Sequence, residues 1–418
     1  MWAGGLYPKD EGRLAVTSGR IAKRTRDQVV IPQTYKNLYQ DIKKNDVILI
    51  NNGLIKLKVL NIKKRDILCR VEVPGQILSR NSINIPSRPL NISPVTSKDK
   101  EDIKFGVDHD VDFIALSFVQ RAKDVVTLNR IIRRRELQIK NKLKDKAFFS
   151  ERSRAINYTK IISKIETKIA TKNFDEILKA SDGVMVARGD LGIETELSRV
   201  PLVQKEIIAK SLKAGKPVIT ATQMLGSMVS DSSPSRAEIS DIANAVIDHT
   251  DAIMLSQETA SGKYPVDAVK VMNRVAWETE ESPYDDLISK EETYKYLPIS
   301  LAVSSNAVKL AKEIKAKLII CLTSTGYTAR TMVRYRPEIK VLALTPYKKI
   351  YNQLSLSWGI IPFFFSFGHD VDTVMKKAVD FVKRKKIVKP GDKIVIISGY
   401  PFRVLRLGDT NLIKVEKI

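Results

Sequence analysis

The sequence predicts an α/β protein: an incomplete (β/α)8, or TIM, barrel, with a small β-rich domain inserted ahead of most of it and a second α/β domain behind it. Three observations lead there. From about Asp102 onward, short strand-like apolar runs alternate with helical patterns, which is how a parallel sheet covered by helices reads. Each of those runs ends in a polar cluster, and barrels of this kind place their chemistry at the C-terminal ends of the strands. Before residue 92 the pattern is different, with strand runs separated by turn signals.

In that first domain, expected over 1–92 with a remnant of the barrel's start, Val47–Ile50 and Leu54–Val59 flank the turn Asn51-Asn52-Gly53, a hairpin signal. Ile67–Val73 supplies another strand before Pro74-Gly75. The barrel portion is expected over 93–283. Its strands are Asp112–Val119, Lys160–Glu166, Gly183–Ala187, Pro217–Thr222 and Ala252–Ser256. Helical patterns follow them: one with Val125, Val126, Leu128, Ile131 and Ile132 as apolar positions, then Phe174–Leu178, Val203–Leu212, Arg236–Ile247 and Val266–Glu278. Ser233, Pro234 and Ser235 supply cap candidates and a first-turn proline for the helix at Arg236. The polar stretch from Arg133 to Tyr158 reads as a surface insertion. Five strands are found where closure needs eight, so three are expected to be missing or to lie before residue 1. After a polar linker, a domain over 298–418 is expected to contain strands at Leu318–Thr323, Val341–Thr345, Lys393–Ser398 and Leu412–Val415.

Composition narrows the function classes. No apolar run reaches the length of a membrane span; the nearest, Ile360–Phe367, is strand-sized. The opening Met-Trp-Ala-Gly-Gly does not read as a secretory signal. Cys69 and Cys321 sit far apart in apolar runs and are expected as buried free thiols in a reducing compartment, hence a cytoplasmic protein, or an organellar one if a targeting segment lies upstream. His109, His249 and His369 show no metal-ligand spacing. The formal net charge of +24 leaves two readings, a solvated surface or a polyanion-binding stripe. The basic residues are spread along the chain, with clusters only at Arg133–Arg135 and Lys383–Lys386, and no nucleic-acid-binding motif accompanies them, so a nucleic-acid partner is not expected.

The polar clusters carry the chemistry. In Ser163-Lys164-Ile165-Glu166, period-2 alternation puts Lys164 and Glu166 on one face of their strand. The next strand runs into Ala187-Arg188-Gly189-Asp190, which brings Asp190 beside Glu166. Two neighbouring carboxylates suit Mg²⁺, which takes one or two protein carboxylates and completes its shell with water and substrate oxygens. An internal salt bridge of Lys164 with either acid explains the same residues equally well. Two further strands end in Ala221-Thr222-Gln223-Met224 and Ser256-Gln257-Glu258-Thr259. Ser261-Gly262-Lys263-Tyr264 lacks the earlier glycine and the hydroxyl residue of a phosphate-binding P-loop, so nucleotide would have to be held by another device.

In order and spacing, Ile162–Glu166, Asp182–Gly192, Lys216–Leu225, Arg236–Asp241, Asn244–Val246 and Asp251–Ser256 resemble the consecutive signatures of pyruvate kinases, and the likeness runs along essentially the whole chain. The resemblance implies phosphoryl transfer between phosphoenolpyruvate and ADP/ATP with Mg²⁺ (or Mn²⁺) and K⁺, in a homo-oligomer that is a tetramer in the family. It implies that Lys164 lies against the phosphoryl group in flight and that Glu166 and Asp190 bind the divalent metal. Ala187, Arg188 and Gly189 would shape the metal and substrate pocket through backbone groups. Thr222 would lie near the enolate methylene, and Ser256 would belong to the proton-relay region. The β-rich domain would be the family's mobile lid. Thr323, Ser324, Thr325, Gly326 and Thr328, between a strand and a helix, would be either the effector's anion site or a plain helix cap.

Departures from the family pattern are also legible. The arginine, the Asn/Ser pair and the monovalent-cation aspartate of the family's first three barrel strands find no match here. A truncated sequence is the favoured reading of this gap; a chain complete as it stands is expected to be poorly stable with little or no activity, and an inactive relative with a regulatory or interaction role is the alternative. Asn51-Asn52, Asn81-Ser82, Thr167, Ala170, Gly226, His249 and Gln257 also differ from the family's residues.

Overall fold

The computed structural model describes residues 4–5, 13–17, 24–25, 28–33, 35–51, 53–77, 81–86, 95–142, 158–285, 297–367, 370–399 and 410–418. Its strands in chain order are β1 (Gly4–Gly5), β2 (Arg13–Thr17), β3 (Arg24–Thr25), β4 (Gln28–Pro32), β5 (Val47–Ile50), β6 (Ile55–Lys63), β7 (Asp66–Val73), β8 (Gln76–Ile77), β9 (Ile83–Asn84), β10 (Phe113–Leu116), β11 (Lys160–Ile165), β12 (Gly183–Ala187), β13 (Val218–Ala221), β14 (Ala252–Met254), β15 (Leu318–Leu322), β16 (Val341–Thr345), β17 (Ile360–Phe364), β18 (Lys393–Gly399) and β19 (Thr410–Lys417).

The first sheet has the order β3-β4-β2-β7-β6-β5-β9. The expected hairpin is there: β5 and β6 pair antiparallel, Ile50 opposite Ile55, with Asn51 at φ 55° and Gly53 at φ 84° in the turn. Alternating Ile48, Ile50, Ile55, Leu57, Val59, Ile67 and Cys69 point inward and form a small core of their own. Two positions that depart from the family pattern meet here, Asn81 Nδ2 donating to Asn51 Oδ1 at 3.1 Å.

The second sheet is wholly parallel, in the order β10-β11-β12-β13-β14, and these five strands are all the sheet contains among the described residues. Leu128, Ile132, Ile165, Ile177, Leu191 and Ile207 fill the layer between the strands and their outer helices. Ile162, Met185, Ile219 and Ala221 pack on the inner face. One expectation is corrected. Arg133–Lys142, the first part of the presumed insertion, is the end of a single 21-residue helix, Ala122–Lys142. Its charged face suggested a loop, but Glu136 is buried, accepting from Thr159 N at 2.8 Å and bridging Arg133 at 2.8 Å. Residues 143–157 lie outside the described ones.

The third sheet has the order β17-β16-β15-β18-β19, parallel except for β19. Helices cover both faces: Ile299–Glu313, Tyr327–Val333 and Lys348–Leu354 on one, Val371–Arg384 on the other. The sequence reading expected four strands here; the strand-sized run at Ile360 is a fifth, β17, at the sheet edge.

The third domain docks on the N-terminal ends of the barrel strands. Lys349 Nζ is paired with the Asp110 carboxylate, and Gln353 Nε2 donates to Tyr158 O at 2.7 Å and Asp112 O at 3.1 Å. Arg336 lies 3.7 Å from Asp251, which also accepts from Trp358 N. This floor leaves the opposite ends of the strands, the rim, free for chemistry.

Candidate active site

At the rim, alternation along β11 places Lys164 and, one step past the strand, Glu166 on the inner face. Lys164 Nζ stands 2.6 Å from Glu166 Oε1 and 3.0 Å from Ser117 Oγ. The Glu166 side chain is only 1% exposed. Its other oxygen accepts from Phe118 N, a residue held at φ 53° just beyond β10. Ser117 and Phe118 form a rim cluster that the sequence reading passed over as the end of a buried strand; a serine closing an apolar run was the available signal.

Asp190 reaches the same place from a different element. The chain leaves β12 at Ala187 and turns directly into the helix Arg188–Glu194, so Asp190 lies in that helix's first turn, where a carboxylate is favoured by the exposed N–H groups. Burial pushes the Glu166 carboxyl above its usual range; Lys164 and the Phe118 N–H oppose this, and the Asp190 charge adds to it. Glu194, at the far end of the helix, is likewise pushed up, first by burial and also by Asp190. Glu194 Oε1 lies 3.5 Å from Asn84 Nδ2 of β9, so the helix that carries Asp190 also meets the β-rich domain.

A buried carboxylate beside a second one, with a single ammonium against the first, is a hard-oxygen donor set of the kind that a small divalent cation stabilises. Among the described residues no cluster of three or more His, Cys, Asp or Glu is present that would form an all-protein metal cage.

Beyond β13 the backbone does something the sequence did not announce. Thr222 and Gln223 both adopt left-handed conformations, φ 70° and 55°. There Thr222 Oγ accepts from Gly189 N at 2.7 Å and donates to Ala221 O at 2.6 Å, tying the ends of β12 and β13 together. Ser256 follows β14, and its N–H donates to Glu258 Oε2 at 2.7 Å. Glu258 is buried and also accepts from Leu225 N at 3.1 Å, so it joins the last two rim loops. Arg188 is turned away from the open rim, its side chain buried against Thr222, Gln223 and Asp241.

The Thr323–Thr328 segment lies in the other domain. Thr323 Oγ accepts from Gly326 N at 3.0 Å and Thr325 Oγ from Tyr327 N at 3.3 Å. Thr328 is buried, its hydroxyl 2.9 Å from that of Thr410. As the structure stands, these hydroxyls close their own turn, with Gly326 at φ 77° as the residue before the helix.

A parallel (β/α) sheet with a lysine and two carboxylates at its rim, a β-rich domain in front and an α/β domain behind can gather a divalent cation and a phosphoryl group in one place. The family model for the pyruvate kinase barrel domain matches residues 8–269, and that for the pyruvate kinase alpha/beta domain matches 301–416. A pyruvate kinase of Clostridium perfringens is 39% identical over 388 residues, spanning 92% of this chain and 77% of the relative. One of Clostridium acetobutylicum is 38% identical over 386 residues, with the same coverage. A solved pyruvate kinase from Cryptosporidium parvum superposes with a TM-score of 0.82 at 32% identity, covering 98% of this chain and 79% of that one. The chain belongs to the pyruvate kinase family.

Proposed function

We propose that this chain transfers the phosphoryl group of phosphoenolpyruvate to ADP, giving pyruvate and ATP, at the rim formed by the ends of β10–β14. The observation that carries this reading is the contact of Lys164 with Glu166 beside Asp190. The transferring group is highly charged and needs little covalent help, so positioning and positive charge supply most of the rate. Lys164 would meet that charge. Glu166 and Asp190 would hold Mg²⁺ or Mn²⁺, which when bound supplies positive charge to the phosphoryl and enolate oxygens. Backbone groups of Ala187, Arg188 and Gly189 would shape the metal and substrate pocket, the Gly189 N–H being given to Thr222 Oγ. The Thr222 hydroxyl would lie near the enolate methylene, and Ser256 would belong to the proton path. K⁺ belongs to the reading through the family alone; no residue here is assigned to it.

The β5–β6 hairpin and β9 would close over nucleotide as a lid, against the helix Arg188–Glu194. A homo-oligomer belongs to the reading through the family. A reducing, cytoplasmic setting accords with the burial of Cys69 and Cys321, which pushes both thiols well up, Cys69 to about 12. No helix among the described residues is long and apolar enough to cross a membrane. A sugar-phosphate effector near Thr323–Gly326 would sit where β15 is flanked by β16 on one side and β18 on the other, the kind of crossover at which open α/β sheets bind ligands.

The test is turnover coupled to lactate dehydrogenase. Lys164→Met should lower kcat by at least about a thousandfold while circular dichroism stays native; unchanged turnover would remove the assignment. No observation favours the inactive relative as an alternative.

A further inference from the structure

We propose that Arg188 is a positioning residue, whose guanidinium holds the left-handed turn at Thr222–Gln223 and so keeps the Thr222 hydroxyl on the rim. This rests on the phosphoryl-transfer reading for the part Thr222 plays, but the clamp itself is a matter of geometry. Thr222 is β-branched, and φ 70° is a conformation such a residue takes only when its surroundings impose it. Gln223 follows at φ 55°, so two adjacent non-glycine residues carry the same strain.

The imposing group is in view. Arg188 Nη2 donates to Thr222 O at 2.7 Å and Gln223 O at 3.3 Å, and Nε adds a second contact to Thr222 O at 3.3 Å. Its Nη1 is tied to Asp241 Oδ1 at 2.7 Å and lies 3.4 Å from Gln204 Oε1, so two outer helices fix the guanidinium before it meets the turn. Both carbonyls of the turn therefore have a charged donor at a site where the arginine is 8% exposed. A relaxed turn would swing these oxygens away and carry Thr222 Oγ off Gly189 N, breaking the link between β12 and β13. The separate nitrogens of the guanidinium reach the turn carbonyls and Asp241 together, whereas a lysine presents all its donors from a single nitrogen. Leu225, at the other end of the loop, is held by the carboxylate of Glu258, so the loop has a cationic brace and an anionic one.

The test is a double-mutant cycle between Arg188 and Gln223, because glycine holds φ 55° without strain and Gln223→Gly relieves what the clamp opposes. Arg188→Lys should lower kcat at least about thirtyfold with KM for phosphoenolpyruvate within about threefold, the signature of an interaction lost in the transition state. Adding Gln223→Gly should raise kcat at least about fivefold more in the Arg188→Lys protein than in the parent. A kcat within twofold of the parent, or equal Gln223→Gly effects in both backgrounds, would overturn the proposal. Should Arg188→Lys fail to fold, Asp241→Asn loosens the same guanidinium and should give a smaller loss with the same rescue. Should the parent protein not turn over phosphoenolpyruvate, the function reading fails while the clamp is still decided by unfolding midpoints. Gln223→Gly must then stabilise the parent, where the strained turn is held, more than Arg188→Lys, where it has relaxed, and equal shifts refute the clamp.

Discussion

Two lysines of one strand, four residues apart, meet opposite ends of the barrel sheet. Lys164 at the rim sits between Ser117 and the buried Glu166, with a second carboxylate nearby. Lys160 at the floor faces Asp182 at 3.4 Å and, from the docked domain and an outer helix, the charges of Arg330 and Arg133. At the rim negative charge is in excess and burial pushes a carboxyl up. At the floor burial, helped by Arg330 and Arg133, pulls the Lys160 ammonium down to about 8. The sheet thus keeps its net acidity at the end where a cation and a phosphoryl group would arrive. At the other end bases and acids pair under the docked domain, Lys349 with Asp110 and Arg336 with Asp251. Function in this fold is a matter of which end of the strand a charge occupies.

The largest expected effects belong to the rim. Glu166→Gln and Asp190→Asn remove the donors proposed for the divalent ion, and each should lower kcat by about a hundredfold or more and raise the Mg²⁺ concentration for half-activity. Mn²⁺ binding followed by calorimetry gives a readout free of turnover; wild-type affinity in both variants would break the comparison on its rim side. Asp190→Asn should not lower the melting temperature, because it removes a charge that opposes ionisation of the buried Glu166.

A floor substitution should do the reverse. Arg336→Met strands Asp251, whose carboxylate is buried and otherwise held by the Val218 and Trp358 N–H groups. Breaking a buried pair from one side costs about 3 kcal/mol. Differential scanning calorimetry should show a fall of several degrees, while kcat measured below the transition stays near that of the parent. A large loss of kcat with no change in stability would mean that the two ends are not separable.

What was legible in the sequence follows from how local the cause is. Buried parallel strands are short apolar runs, so β12 and β16 were read to the residue, and Lys164 with Glu166 followed from alternation alone. The helix Arg236–Ile247 was equally plain, because Ser235 and Glu238 form a capping box within one turn. Asp190 was expected at a strand end and is instead in a helix, since nothing in Ala187-Arg188-Gly189 states where the extended chain gives way. The direction of Arg188 was not legible at all. Its acceptors lie 34 and 53 residues away, and only the assembled sheet brings them together. The paired amides Asn51 and Asn81 are hidden for the same reason, being 30 residues apart. The helix Ala122–Lys142 was cut short in the reading because a charged run looks alike on a loop and on a helix surface; the buried Glu136 decides it.

The smallest effect sharpens the floor half of the comparison. Lys160 has its folded pKa lowered to about 8, first by burial and then by Arg330, against the opposing pull of Asp182. In the unfolded chain the same lysine titrates near its ordinary 10.5. Below pH 8 the ammonium is charged in both states and the burial penalty is fully present. Between about pH 8 and 10.5 the unfolded chain holds a proton the folded one has released, so stability should rise with pH across that window. Lys160→Met removes the buried charge and keeps the stem, and Asp182 retains the Ile161 N–H as a partner at 3.0 Å. The variant should therefore be more stable than the parent at pH 7 by no more than about 2 kcal/mol, with the advantage shrinking toward pH 10. Urea unfolding of both proteins at pH 7, 8.5 and 10 reads this directly. A constant difference across the series would mean that Lys160 stays charged on folding and that its charge is balanced by groups other than Asp182.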